Sequence, residues 1–216
     1  MDGQSDARDR RPALHSATTA GAAEYPHHRG PAGTVDTDSE GSARAASRRS
    51  FTGGNYSENP ELYAVFPYRL FGVGKPDLDM ARATYEMRTN RHNFGWCQDS
   101  IQAACLGLGE EAGRQVVARA TSHRAYRFPA MWSGFDWIPD QDHGANILTT
   151  LQFMLLQSEG NKLFLLPAWP RNWDVSFKLH APYNTTVEGV YKAGKLEQLK
   201  VTPESRAKDV VNMLGK

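Results

Sequence analysis

The stretch DQDHGANILTTLQFMLLQSEGNKLFLLPAWP, Asp140 to Pro170, sets the expected fold. Two carboxylates and a histidine, Asp140, Asp142 and His143, precede an apolar run with helical spacing. Ile147, Leu148, Leu151, Met154 and Leu155 place one side of a helix, over about 145–157, against a core. After Gly160 the period changes. Leu163 to Leu166 is a short apolar run bounded by Gly160 and Pro167, which reads as a strand.

Upstream, further helical patterns follow one another. Residues 61–71 (ELYAVFPYRLF) read as a buried helix limited or kinked by Pro67. Pro76 suits the first position of the next helix, which has Leu78, Ala81 and Tyr85 on its apolar side. Ile101, Ala104, Cys105 and Leu108 give another, with Asp99 or Ser100 as its cap. Glu110 to Ser122 gives a fourth, with Ala112, Val116, Val117 and Ala120 inward. Between this helix and the opening stretch lies a long aromatic-rich loop, Tyr126 to His143. Long ordered loops in compact domains are often functional.

Downstream, Val175 to Leu179 reads as a strand. Val187, Gly189 and Tyr191 alternate, as do Leu199 and Val201, across the turn Lys192-Ala193-Gly194-Lys195, which predicts a β-hairpin. The expected class is α+β: a partial (α/α) helical-hairpin barrel followed by a small antiparallel β domain. Residues 1–56 form a segment with almost nothing to bury. Its first 50 residues hold seven Arg and no Lys, and such a stretch cannot offset its own ordering entropy. Residues 57–160 carry the helical hairpins, 161–204 a β-sandwich-like unit and 205–216 a charged, peripheral tail.

The 216 residues carry a net charge of +1, which supplies no electrostatic argument for a nucleic-acid or membrane-surface partner. No apolar run approaches the ~18 residues of a membrane span, and no secretory signal is visible at the N-terminus. Cys97 and Cys105, eight positions apart, should not bridge if they share one helix. No Cys or His spacing suggests zinc, so a metal site is not expected.

Four segments in order carry a resemblance: NPELYAVFPYRLFG (59–72), GWCQDSIQAACLGLGEEA (95–112), DQDHGANILTTLQFMLLQS (140–158) and LFLLPAWPRNWDV (163–175). Together they resemble the C-terminal end of a six-hairpin glycosidase. The set is similar to the inverting α-L-fucosidases of glycoside hydrolase family 95, and more directly to a bacterial branch of such glycosidase-like proteins. The likeness covers roughly Ser57 to Asn212. It implies a carbohydrate substrate and no cofactor. In the fucosidases a loop aspartate before the last barrel helix helps to activate the attacking water. Counting back from Met154–Gln157 places that position at Asp142, with Asp140 as its competitor. A family histidine that reaches the sugar aligns with Glu61. An acid there is expected to change which hydroxyls are read.

Inversion requires two carboxyl groups about 6.5–9.5 Å apart, one acid and one base. Asp142 is the candidate base; capping of the following helix is the alternative. Asp140 is either its hydrogen-bond partner or a turn residue. His143 either binds sugar hydroxyls, bridges the two aspartates or is a satisfied loop histidine. Glu61 is a substrate contact, a general acid or a first-turn glutamate stabilised by the helix dipole. Trp132 and Trp137 are expected to line the cleft, because aromatic faces pack on the C–H faces of sugars. Trp169 and Trp173 are expected to wedge the helices against the β unit, and Trp96 is open between the two roles.

The family's general acid lies upstream of these motifs, and no segment here matches that region. The resemblance therefore implies part of a glycoside hydrolase, weakly active or inactive alone, with an upstream barrel domain as partner. The compositional break near Ser50 adds the expectation of a truncated gene product whose first residues are non-native. The alternatives are a non-catalytic carbohydrate-binding remnant and a structural fragment needing the rest of the barrel.

Overall fold

The computed structural model describes residues 58–92, 95–121 and 141–214. The expectations for 1–56, Trp132, Trp137 and Asp140 lie outside the described residues. The class is α+β, with the helices preceding the strands.

The predicted helix over 61–71 does not form. Pro60–Leu62 make one 3₁₀ turn and the chain then coils through successive turns. Pro67 has no N–H to donate, and the residue before a proline is disfavoured in the helical region. The backbone finds other partners: the amides of Leu70 and Phe71 both donate to the Ala64 carbonyl. Leu62 and Val65 still reach the core.

Helix α1, Leu78–Met87, begins two residues after Pro76, because Asp77 adopts a left-handed φ of 54°. Helix α2, Asp99–Cys105, is buried at every position. Leu106–Leu108 turn the chain into α3, Gly109–Thr121. Helix α4, Gln141–Leu155, starts four residues earlier than expected, so Asp142 and His143 lie in its first turn and not in a preceding loop.

Helices α2, α3 and α4 pack pairwise. Thr150 Oγ1 donates to Ser100 Oγ at 2.9 Å, and Gln157 Nε2 donates to the Ala104 carbonyl at 2.7 Å, so α2 and α4 run in the same direction. Arg119, near the end of α3, reaches the Cys97 carbonyl before α2, so α3 runs the other way. The core between them holds Leu62, Tyr85, Ile101, Ala104, Ala112, Val116, Ile147 and Met154. Val117 (49% exposed) and Leu148 (63%) face outward, against expectation. The buried stripe of α4 runs through His143, Asn146, Ile147, Thr150 and Met154, so polar members displace Leu148 from it.

The chain passes from α4 into strand β1, Leu156–Glu159, with no intervening residue. Strand β1 pairs antiparallel with β2, Lys162–Leu165, across a turn in which Gly160 has φ 54°. The β unit therefore starts at Leu156, within the predicted helix. The predicted peripheral tail instead forms a 3₁₀ turn, Glu204–Asp209, and strand β6, Val210–Asn212, which pairs parallel with β2. This corrects the expectation of a purely antiparallel β domain: the sheet β1-β2-β6 is mixed. Arg206 fixes the return by donating to the Asn161 carbonyl at 3.0 Å and pairing with Asp209 at 3.2 Å.

Strands β3 (Val175–Ala181), β4 (Thr185–Lys192) and β5 (Lys195–Thr202) form a second, antiparallel sheet. The predicted hairpin is present, with Ala193 and Gly194 both at positive φ, as a two-residue turn matched to strand twist requires. Phe177 lies opposite Gly189, and a Cβ there would stand 2.7 Å from its ring. Val187 and Tyr191 share a second core with Leu155, Leu156, Leu163 and Leu165.

Trp169 packs against both cores, Trp173 against the helical one, and the two rings meet edge-on at 5.5 Å. Glycines on α3 admit this segment: a Cβ at Gly113 would lie 2.8 Å from Pro170 Cγ, and one at Gly109 3.0 Å from the Ala168 backbone.

Candidate functional site

The first turn of α4 is anchored from within. His143 is fully buried. Its Nδ1 accepts the Gly95 N–H at 3.1 Å, and its Nε2 lies 3.0 Å from the Arg119 carbonyl. Only the tautomer protonated at Nε2 satisfies both contacts. Asn146, one turn on, donates through Nδ2 to the Gly95 carbonyl at 3.1 Å and to the Asp142 carbonyl at 2.9 Å. Arg119 Nη1 also donates to the Gly95 carbonyl, at 3.1 Å. Three helical side chains thus grip one glycine and join the end of α3, the segment 95–98 and the start of α4.

Asp142 stands on this anchored turn with its side chain exposed to solvent. His143, its neighbour, turns inward onto the backbone, which is the satisfied-histidine arrangement. Glu61 is half-buried in the 3₁₀ turn Pro60–Leu62. That turn is tied to the same end of the helical layer. Asn59 donates through Nδ2 to Asp99 Oδ1 at 2.8 Å, at the start of α2, and to the Asn90 carbonyl at 2.9 Å. Trp96, adjoining Gly95, is half-buried here too. Residues 122–140, with Trp132, Trp137 and Asp140, link Thr121 to Gln141 and lie outside the described residues.

A second polar group lies beneath this end, and its partners are not evident from sequence. Arg88 Nε donates to Asp99 Oδ2 at 2.6 Å, Nη1 to the Tyr85 carbonyl at 2.7 Å and Nη2 to Glu111 Oε1 at 3.3 Å. Its guanidinium lies 3.7 Å above the Tyr85 ring centre. Gln115 Nε2 bridges Tyr85 Oη at 2.8 Å and Glu111 Oε1 at 2.7 Å. Burial pushes the Asp99 carboxyl up from its usual range, and the hydrogen bonds from Arg88 and Asn59 recover only part of that. At Glu111 burial works upward, but hydrogen bonds from Arg114 and Gln115 and the nearby arginine charges outweigh it and hold the carboxyl low. Asp99 does not cap α2; Gln98 occupies the cap position, without a side-chain cap bond.

These two groups differ chemically. The Asp99–Arg88 pair is buried and closed, with charge matched to charge, which suits a structural role. Asp142 is an exposed acidic side chain on a turn whose backbone is held by Asn146. Among the described residues, no group of three or more His, Cys, Asp or Glu could hold a metal ion. No helix among them is long and apolar enough to cross a membrane. A shallow hollow of about 570 Å³ lies on the second sheet between Lys178, Glu188, Gln198 and Lys200, and none of the candidate residues lines it.

No protein-family model matches the chain, and no curated protein matches it.

Proposed function

We propose that this chain is part of a glycoside hydrolase that cleaves its substrate by inversion. Helices α2, α3 and α4 are read as hairpins of a partial (α/α) barrel. Asp142 serves as the base that takes a proton from the attacking water. The general acid comes from a further barrel segment, and the chain alone is weakly active or inactive.

The observation that carries this reading is the exposed Asp142 on a turn held by His143 and Asn146. A general base must be reachable by water, which suits the exposed Asp142, and the bonds of His143 and Asn146 hold the backbone that carries it. The alternation of α2, α3 and α4 suits consecutive hairpins of such a barrel. The quoted resemblance supplies the reaction class. Glu61, on the turn tied to the start of α2, is assigned to substrate hydroxyls. His143 is assigned to positioning and not to sugar contact.

The test is calorimetric titration of the purified chain with a monosaccharide panel including L-fucose, combined with an aryl-glycoside hydrolysis assay. Binding of at least one sugar with little or no turnover is expected. Failure of every sugar to bind overturns the reading. Robust turnover refutes the need for a further segment, and turnover that survives Asp142→Asn removes Asp142 as base.

A further inference from the structure

We infer that Trp96 is the stacking platform for a pyranose ring at the site that contains Asp142. This rests on the glycosidase reading and names the side chain that would hold the sugar. Three tryptophans fall among the described residues. Trp169 and Trp173 pack on the helical core, and the Trp169 indole N–H is taken up by the Trp173 carbonyl at 2.8 Å. Trp96 belongs to neither apolar core cluster, although it is half-buried. Its indole N–H has no hydrogen-bond partner among the described residues. A core tryptophan normally has both features.

The backbone on either side of Trp96 is nevertheless fixed. Gly95 is held at its N–H by His143 and at its carbonyl by Asn146 and Arg119, and the Cys97 carbonyl is held by Arg119. Asn146 also binds the Asp142 carbonyl. A single amide side chain therefore links the backbone next to Trp96 to that of the candidate base. An indole whose flanking backbone is held on both sides, and which is partly uncovered and left with a free donor, fits a ligand with an apolar C–H face and hydroxyls at its edge. A pyranose has both.

The test is a titration of the full chain, labelled at its five tryptophan indoles, followed by NMR with free L-fucose, D-galactose and D-glucose. The indole signal removed by Trp96→Phe should shift and saturate with one of these sugars. Trp96→Ala should weaken that binding roughly tenfold, the size of one aromatic contact, while the other indole signals keep their positions. If a sugar binds but the Trp96 signal does not move and Trp96→Ala binds as well as the parent, the platform is elsewhere and the glycosidase reading stands. If no sugar shifts any signal, the glycosidase reading fails, and this inference with it.

Discussion

Arg88 shows how one buried side chain can hold several pieces of a fold. It joins the end of α1 to the start of α2 through Asp99 and to α3 through Glu111. Removing one partner of a buried ion pair leaves the other charge uncompensated. Arg88→Met should therefore cost about 3–5 kcal/mol in chemical denaturation. The double variant Arg88→Met/Asp99→Leu should recover most of that loss; if it is no more stable than the single variant, the pair is not the source. Nothing in the sequence marked this group, because residues 88 and 99 share no helix and no periodic spacing. Asp99 instead read as a cap. Asp142 was singled out through its place before an apolar helix together with the family resemblance, and its side chain is exposed on the first turn of α4. The inward turn of His143 depends on Gly95, 48 positions away in the chain, which no local pattern encodes.

At the scale of elements, regular periods were readable and returning segments were not. Helices α2 and α3 form where their apolar spacing places them, although α2 is buried all round and Val117 of α3 faces outward, and the β4–β5 hairpin follows its turn residues. Residues 61–71 are apolar without a usable period, and Pro67 removes the helical solution. Strand β6 has only three residues, and its partner β2 lies 47 positions earlier by the pairing of Leu163 with Val210. Its charged surroundings made it look peripheral. Ending the chain at Pro203 should therefore lower the melting temperature by roughly 5 °C or more, read by circular dichroism, as the fully buried Leu163 and Leu165 lose a neighbouring strand. An unchanged melting temperature would restore the peripheral tail.

For the molecule as a whole, the α+β order was legible because the apolar period changes near Gly160. How the helices and sheets meet was not, since that depends on shape complementarity around Gly109, Gly113 and Trp169. Gly113→Ala sets a methyl group against Pro170 and Trp173 and should cost about 1–3 kcal/mol by urea denaturation. A neutral outcome would mean that the Pro170 ring gives way freely. Leu155 ends α4 and Leu156 begins β1, so one uninterrupted length of backbone serves both halves. Helix α4 spans about 22 Å between that strand and the turn that carries Asp142. Strand β1 and the turn that carries Asp142 are thus the two ends of one unbroken backbone run.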